Sequence, residues 1–429
     1  MRPNRFLRPA AALCAPLLAA GVVVAGAGVA SAATGSHHHS RTLYVSAGAA
    51  SGGRDRSCRS AAFSTIQSAV SAAPAWGSVV VCPGTYHEQV VISKPLSLQG
   101  QHATIDEAGV NPGFAVTLPG LGTQTIFAGV VMVSSGINFT GFTVRNAQGE
   151  GILAAGLGAT VSGIVISGNA VVHNDLGSTV PPTSTYFQCA AEGAVPGDCG
   201  EGVHFAGGVA WSTIRNNLIA NNSGGVLLSD DVGPTHDNVV EHNVVTNNAS
   251  DCGITVPGHN PAALNAAGVP QPSVAGVYRN RILDNAVTAN GVEGEGAGVL
   301  FANAGPGTAS YDNLVEGNYI AGNGLAGVTM HAHTLPPGLH EDLNGNVIIK
   351  NSIGKNNLDG DTLDGPPGPA DLQTTGVLVF SGGTPVTVRI AFNHISNNAI
   401  GVWLSKPVMA SGLRTNKFRH VTTPVSANN

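Results

Sequence analysis

Short apolar segments alternate with turns along most of the chain, and two phrases recur within this pattern. The first phrase places two asparagines five positions apart behind apolar residues. The second is a glycine followed by an apolar–x–apolar triplet, and its successive glycines differ by 23, 28, 45, 29, 49 and 25 residues. The values near 25 indicate a repeat of stacked coils, with loop insertions in the longer units.

The asparagine phrase occurs seven times at one internal spacing. We expect these residues to occupy turns in the left-handed backbone region and to bond to the equivalent asparagine one coil away. The pairs are Asn169 and Asn174, Asn217 and Asn222, Asn243 and Asn248, Asn280 and Asn285, Asn318 and Asn323, Asn351 and Asn356, and Asn393 and Asn398.

Strands this short do not bury a face alone, but stacked strands share backbone hydrogen bonds and a continuous apolar interior. The pattern therefore predicts an all-β solenoid, a parallel β-helix. Before the first coil, Phe63, Ile66, Ala69 and Val70 follow helical spacing. We expect a helix over residues 62–73 that caps the open strand edge of the first coil.

The run from Phe63 to Gly100, which contains Pro83-Gly-Thr-Tyr-His-Glu88, resembles the opening of right-handed parallel β-helix proteins of the pectin-lyase-like superfamily. The asparagine repeats resemble the NosD-type family of carbohydrate-binding and hydrolase repeats. This resemblance implies a single right-handed β-helix over residues 33–429. It does not assign an activity, because the fold hosts lyases, hydrolases, esterases, epimerases and non-enzymes. The catalytic motifs of pectin methylesterases, polygalacturonases, classical pectate lyases and alginate epimerases are incomplete or missing.

The N-terminus has the pattern of a secretory signal peptide over residues 1–32: three arginines, an apolar stretch and the ending Ala30-Ser31-Ala32. A membrane anchor is the alternative, because the stretch is almost long enough to span a bilayer. We predict cleavage, a flexible tail over residues 33–42, a secreted protein and no stable membrane insertion afterwards.

Charge and cysteines refine this picture. Charged residues make up 10% of the 429 residues, and the formal net charge is −6. Removing residues 1–32 lowers Lys plus Arg from 19 to 16 while Asp plus Glu stays at 25, which gives −9. An acidic surface argues against nucleic acid as a partner. We predict the disulfides Cys58–Cys82 and Cys189–Cys199, with Cys252 left as a buried residue or an exposed thiol.

Candidate site residues follow from the stacking. The middle residue of each glycine phrase should face outward, and residues after the strands should form one flank of a groove that suits a polysaccharide. The catalytic candidates, with histidines as base or charge neutraliser, are His331, His333, His259, Asp231, Asp230 and Asp251. The substrate-binding candidates are His204, Asn303 and Trp403.

Each candidate has a plainer interpretation. Asp230 and Asp231 would be a turn pair, and Trp403 would cover the last coil. We assign no metal ligands, because His331 and His333 lack a near third ligand. Ca²⁺ remains the one cofactor considered, as a neutraliser of a uronate carboxylate. Three of the four long insertions adjoin the candidates; the insertions are Asp175–Glu201, Pro257–Ser273, Leu335–His340 and Asp359–Thr375.

Three functions remain open at this stage. The first is a secreted protein that binds or cleaves an extracellular polysaccharide, with acidic glycans favoured, by lyase or hydrolase chemistry. The second is a non-catalytic surface or matrix scaffold that presents adhesive loops. The third is a NosD-like accessory role in metal delivery.

Overall fold

In the computed structural model of the chain, strands of successive coils pair in parallel to form a β-helix, as predicted. The structure describes residues 42–49, 55–111, 113–118, 122–175, 200–293, 296–358 and 373–427. These residues belong to one compact unit, Ser40–Asn429. The predicted signal peptide, nearly all of the predicted tail and the predicted Cys189–Cys199 pair lie outside the described residues.

The largest sheet of the described residues has 21 strands. They form two adjoining columns, which are joined in one sheet because the long strands β5 and β9 run through both. Its strands are β1 Leu43–Val45, β2 Gly77–Val81, β3 Gly84–Tyr86, β5 Leu96–Asp106, β9 Ile137–Arg145, β12 Val165–Ser167, β13 Ala170–Val172, β16 Thr213–Arg215, β17 Leu218–Ala220, β20 Val239–Glu241, β21 Val244–Thr246, β24 Arg281–Leu283, β25 Ala286–Thr288, β28 Leu314–Glu316, β29 Tyr319–Ala321, β31 Asn346–Ile349, β32 Ser352–Ile353, β34 Val386–Ala391, β35 His394–Ser396, β37 Val408–Ser411 and β38 Lys417–Arg419.

The second sheet has 11 strands in the described residues, and all seven glycine phrases contribute a strand to it. We call it the glycine-phrase sheet. Its strands are β4 Val90–Ile92, β8 Ala128–Met132, β10 Glu150–Ala154, β14 Glu201–Phe205, β18 Gly224–Leu228, β22 Ile254–Gly258, β26 Val299–Asn303, β30 Val328–Ala332, β33 Thr375–Ser381, β36 Ile400–Leu404 and β39 Thr423–Ala427.

Smaller elements complete the described fold. A five-stranded parallel sheet contains β11 Val161–Ser162, β15 Val209–Ala210, β19 Thr235–His236, β23 Val277–Tyr278 and β27 Ser310–Tyr311, and an antiparallel pair contains β6 Ala115–Leu118 and β7 Gly122–Thr125. Single 3-10 turns cover Cys58–Ser60, Pro261–Ala263 and Leu413–Thr415. Within the described ranges, no helix has the length and apolar character needed to cross a membrane.

The asparagines stack in three buried rows rather than the two that the sequence predicted. Asn318 illustrates the bonding within a row. Its Oδ1 accepts from the backbone N–H and the side-chain Nδ2 of Asn285, at 2.8 and 3.0 Å. Its own Nδ2 donates to the carbonyl of Ile282 and to Asn351 Oδ1. The rows run through Asn238, Asn280, Asn313 and Asn346; through Asn169, Asn217, Asn243, Asn285, Asn318, Asn351, Asn393 and Asn416; and through Asn174, Asn222, Asn248, Asn290, Asn323, Asn356 and Asn398.

Two expectations about these rows are wrong. Asn280 and Asn285 do not form a pair equivalent to Asn318 and Asn323, because Asn280 belongs to the additional row. The second error concerns the backbone. The left-handed conformation is adopted not by the row asparagine but by the residue before it, as at His242 (φ 54°) before Asn243. The turn residue points outward there, while the following asparagine turns inward to bond along the stack.

The N-terminal helix, α1, spans Ile66–Ala72 and is shorter than the predicted 62–73. Thr65 is its N-cap, and its hydroxyl oxygen accepts from the N–H of Ser68. The Glu88 carboxylate accepts from the N–H groups of Ile66 and Gln67 at 2.7 and 2.8 Å. The helix therefore begins at Ile66 because the unpaired N–H groups of its first turn find acceptors there.

Cysteine pairing agrees with the prediction where it is described. Cys58 and Cys82 form a disulfide that ties the segment before α1 to the end of β2. Cys252 is buried, and its sulfur accepts from the N–H of Ala297 at 3.1 Å. The interpretation of Cys252 as a buried residue is therefore confirmed.

The outer side of the glycine-phrase sheet is covered, and this corrects the expectation of an open face. Trp403 packs with Ala326, Leu378 and Ile400 in a cluster outside the main core, and only 3% of Trp403 is exposed. His204 is 1% exposed. The alternative interpretation, in which Trp403 covers the last coils, is the one that agrees with this packing.

Candidate functional site

The glycine of each phrase directs two side chains to the outer side of the glycine-phrase sheet. In β8, Ala128 before the glycine and Val131 after it pack together in an outer cluster. In β14, the equivalent positions are occupied by Glu201 and His204. A Cβ atom at the intervening Gly202 would lie 2.4 Å from Ile219 Cγ2, so only glycine fits there. The repeat itself therefore brings a carboxyl group and an imidazole to one side of the sheet.

His204 is the centre of a buried polar network. Its Nδ1 lies 3.0 Å from Glu150 Oε1, and its Nε2 lies 2.9 Å from Ser229 Oγ. The same Nε2 is 3.7 Å from Asp231 Oδ2. These partners come from the coils on either side, because β14 pairs with both β10 and β18.

Asp231 joins this network to a second histidine. The Ser229 hydroxyl donates to Asp231 Oδ2 at 2.5 Å, and Asp231 Oδ1 lies 2.9 Å from His259 Nδ1. Burial would raise the pKa of Asp231, but the charge and hydrogen bond of His259, the charge of His204 and the hydrogen bond from Ser229 lower it below its ordinary value. Asp231 is thus an ionised group that orients two imidazoles.

Asp230 has a different environment from its neighbour. Its Oδ1 accepts from the N–H groups of His259 and Asn260, and its Oδ2 accepts from Gly276 N–H at 2.6 Å. Burial raises the pKa of Asp230 to about 6, and the first two N–H groups partly offset this effect. The side chain thereby ties together the loop that follows β22.

Three further carboxyl groups lie near the Glu150 end of the network. Burial, followed by the charges of Glu150 and Asp251, raises the pKa of Glu201 well above its ordinary value. Burial also raises the pKa of Asp175 to about 7, with a further contribution from Glu150. Asp251 therefore lies beside Glu201, and not with Asp230 and Asp231 as a catalytic pair.

His333 and Glu341 form a second carboxylate–histidine pair, farther along the stack. The backbone N–H of His333 donates to Glu341 Oε2 at 2.8 Å, and His333 Nδ1 lies 3.0 Å from Glu341 Oε1. The Glu341 side chain is fully buried, whereas that of His333 is 43% exposed. The buried carboxylate therefore fixes the orientation of the imidazole, which is itself partly exposed to solvent.

His331 lies beside this pair, with its ring centre 4.8 Å from that of His333. Burial lowers the pKa of His331 to about 4, and the charge of His333 adds to the effect. A neutral imidazole at pH 7 offers one N–H donor and one acceptor nitrogen. The structure thus brings His331 and His333 together, as the sequence predicted.

His259 and His333 occupy equivalent places on the stack. Pro257 pairs with Ala302, and Ala302 pairs with His331, so Pro257 and His331 lie in one row. His259 follows Pro257 by two residues, and His333 follows His331 by two residues. Two strand spacings separate them by roughly 10 Å. We call His259, His331 and His333, with their carboxylate partners Asp231 and Glu341, the histidine edge.

Asn303 and Trp403 do not belong to the histidine edge. Asn303 is 1% exposed, and its Nδ2 donates to the carbonyl of Asp342 at 3.2 Å. Trp403 lies in the apolar outer cluster described above. Neither side chain presents a surface on which a sugar ring would rest, and His204 is equally enclosed.

Two residues of the site escaped the sequence analysis. Glu150 precedes a glycine phrase, Gly151-Ile-Leu-Ala154, that was not recognised as a copy of the repeat. The signal was present, because Glu-Gly begins both β10 and β14. Glu341 follows a Pro- and Gly-containing loop, and its return to His333 depends on a loop path that no repeat predicts.

Comparison with solved structures finds proteins that are similar to this chain. The lacto-N-biosidase of family GH136 from Eubacterium ramulus has a TM-score of 0.54 and 10% identity, covering 90% of this chain and 68% of that chain. The alginate lyase from Paenibacillus sp. str. FPU-7 has 0.44 and 13%, covering 84% and 96%. The mannuronan C-5 epimerase AlgE4 A-module from Azotobacter vinelandii has 0.46 and 16%, covering 84% and 92%. At these identities the likeness concerns the fold alone.

Sequence comparison identifies the family. No curated protein sequence matches the chain significantly. The family model described as periplasmic copper-binding protein (NosD) matches residues 122–362, more than half of the chain and most of its asparagine rows. The chain belongs to the NosD family of β-helix proteins.

Proposed function

We propose that this protein is a secreted lyase that cleaves a uronic-acid polysaccharide at the histidine edge, with His333 as the base. The observation that carries the proposal is the pairing of half-exposed His333 with fully buried Glu341. A carboxylate at Nδ1 favours the N–H form of that nitrogen, so that Nε2 is the nitrogen that carries the lone pair. This is the arrangement of a general base.

The chemistry suits a uronate because its carboxyl group makes the neighbouring carbon–hydrogen bond acidic. His333 Nε2 removes the proton α to the carboxyl group, and the electron pair forms a carbon–carbon double bond. The glycosidic carbon–oxygen bond at the β position breaks. His333 returns its proton to the departing oxygen, so that two chains result and the enzyme is restored.

Neutral His331, beside His333, would serve as a hydrogen-bond donor to the substrate. Its ring lies close enough to His333 for both to contact one sugar unit, and its N–H would bond to the uronate carboxylate. The His259–Asp231 pair, two coils away, offers a second contact along the same row. An elongated chain running along the stack would meet both histidine groups.

Among the described residues, the donor atoms grouped for a metal do not match those of a Cu(I) carrier, although the family is named for copper. Cu(I) prefers cysteine and methionine sulfur. Among the described residues, the group of three or more His, Cys, Asp or Glu side chains positioned for a metal consists of two carboxylates and one imidazole. We therefore derive no step through copper.

Secretion is part of the proposal. The disulfide between Cys58 and Cys82 supports an oxidising compartment, since such bonds are rare in the reducing cytosol. The N-terminal pattern of residues 1–32 supports the same route. Edman sequencing of the exported protein, beginning at residue 33, would test this part.

The test is a panel of alginate, polygalacturonate, hyaluronan and neutral glucans incubated with residues 33–429. Cleavage by elimination generates both an ultraviolet-absorbing unsaturated uronate and a new reducing end, whereas hydrolysis generates only the reducing end. We expect both signals with at least one polyuronate. Reducing ends alone would replace the lyase by a hydrolase. Binding without either signal would favour the scaffold alternative.

A further inference from the structure

Two glutamates and a histidine converge behind the histidine edge, in the outer layer of the glycine-phrase sheet. Glu150, Glu201 and His204 each offer one ligand atom, and these atoms all lie within 4.8 Å of one another. The residues are 0%, 3% and 1% exposed. The group is therefore an enclosed site, unlike a cluster of acidic side chains on a surface.

One oxygen of each glutamate has no hydrogen-bond partner within the described part of the chain: Glu150 Oε2 and Glu201 Oε2. An enclosed carboxylate oxygen that lacks a donor is costly, because water has been removed and nothing replaces it. Across the same described part, no lysine or arginine forms an ion pair with either glutamate; the ion pair of Glu150 is with His204.

The hydrogen bonds of His204 fix which of its nitrogens carries a proton. Ser229 has one hydroxyl hydrogen, and it goes to Asp231 Oδ2. Ser229 Oγ must then accept from His204, so that Nε2 is a donor. In the neutral imidazole, Nδ1 is left with a lone pair that faces Glu150 Oε1 at 3.0 Å. At that distance either a proton or a metal cation must lie between the two atoms.

The surrounding charge points the same way. Asp251 lies near Glu201, and Asp175 lies near Glu150, so four carboxyl groups are gathered here. A single imidazole faces these carboxyl groups. A bound cation would compensate the charge and would supply the missing partner to both orphaned oxygens.

We propose that Glu150, Glu201 and His204 bind one divalent first-row cation, with Zn²⁺ as the best match. Two carboxylates and one imidazole suit Zn²⁺, which takes nitrogen and oxygen ligands at about 2.0–2.2 Å and often keeps a fourth position for water. Ca²⁺ prefers oxygen ligands alone, in larger number. Glu150 and His204 Nδ1 would exchange their mutual contact for bonds to the ion.

The site is connected to the histidine edge through hydrogen bonds. His204 Nε2–H donates to Ser229, Ser229 donates to Asp231, and Asp231 accepts from His259. A metal ligand commonly donates its second N–H to such an outer partner, which fixes its orientation. The cation would thus hold His204, Ser229 and Asp231 in place as positioning residues for His259.

Metal content tests the inference independently of any polysaccharide. The protein is treated with a chelator, desalted, equilibrated with Zn²⁺, Mn²⁺, Ca²⁺ or Cu²⁺, desalted again and measured by elemental mass spectrometry and thermal melting. We expect one Zn²⁺ per chain and a higher melting temperature with Zn²⁺. Glu201→Gln should lose the ion and the temperature rise, while Glu241→Gln, on β20, should retain both.

The Glu201→Gln variant also protects the test against misfolding. It removes a buried carboxyl group and keeps its shape, so the metal-free variant should melt at or above the metal-free wild type. Absence of Zn²⁺ from the wild type, or equal Zn²⁺ content in the wild type and Glu201→Gln, would overturn the proposal. Equal Cu²⁺ binding by both proteins, without Zn²⁺ binding, would do the same.

Discussion

His333 is bound twice by Glu341, once through its ring nitrogen at 3.0 Å and once through its backbone N–H at 2.8 Å. The two contacts join residues that are eight positions apart, just after the end of β30. Because the carboxylate is buried and the imidazole is half-exposed, Glu341 orients His333 without itself reaching substrate.

The first prediction concerns Glu341 as a positioning residue. Glu341→Gln should lower kcat by roughly 10²-fold or more with little change in KM, because an amide does not hold the same tautomer of His333 as a carboxylate. The pH profile of kcat should shift as well. Glu316→Gln, which changes a glutamate paired with Lys350 far from this edge, is the matched control. A rise in KM at constant kcat would show that Glu341 acts on binding instead.

The second prediction concerns the asparagine rows. Asn318→Ala removes the acceptor for Asn285 and the donor to Ile282 inside a fully buried turn. Each stranded group costs about 1–3 kcal/mol, so the free energy of unfolding should fall by about 3 kcal/mol or more in urea titration. Asn216→Gly, at an exposed turn position with φ 54°, should change it by only a few tenths. Equal effects of the two substitutions would contradict the role of the rows.

The third prediction concerns the pH dependence of stability. Burial raises the pKa of Glu107 from 4.5 to about 8, partly offset by the N–H of Gln148. The folded state therefore keeps a proton that the unfolded chain releases above about pH 4.5. The contribution of Glu107 is fully present below that pH and is lost as the pH rises through about 8.

Glu107→Gln should remove this loss, which the pKa difference sets at roughly 4–5 kcal/mol between pH 4.5 and 8. Urea titrations of both proteins at pH 5 and pH 8 measure it. We expect the variant to be more stable than the wild type at pH 8 and similar to it at pH 5. Parallel pH curves for the two proteins would show that Glu107 is not responsible.

The fourth prediction concerns the disulfide. Cys58 and Cys82 are separated by 24 residues, and closing such a loop stabilises the folded state by about 3.5 kcal/mol in the chain-entropy model. The double variant Cys58→Ser, Cys82→Ala should unfold at correspondingly lower urea concentration. A change below about 1 kcal/mol would mean that the first coil is held by α1 and the Glu88 contacts alone.

The fold was predictable because its signal is repeated. One glycine phrase is ambiguous, but its recurrence at related spacings requires strands that pair with their own copies. The additional asparagine row was not separated in the sequence, because Asn280 and Asn285 have the same five-residue spacing as Asn285 and Asn290. Only the pairing of β24 with β20 and β28 assigns each asparagine to its row.

The site was predictable only in part. Stacking placed Asp231 with His259 and His331 beside His333, whereas the contact of His204 with Asp231 was not predicted. Burial of the outer face was missed, because it depends on chain segments that leave the repeat and return. The pairing of His333 with Glu341 was missed for the same reason, because the path of a loop depends on tertiary packing and not on the spacing of residues in the sequence.

The most direct measurement of the central claim is the initial rate of ultraviolet absorbance increase on the best polyuronate of the panel. We predict that His333→Gln lowers this rate by roughly 10²- to 10⁴-fold, while His87→Gln, an exposed histidine on the first coil, leaves it unchanged. A wild-type rate in His333→Gln, or no absorbance change with any polyuronate, would contradict the assignment of His333 as the base.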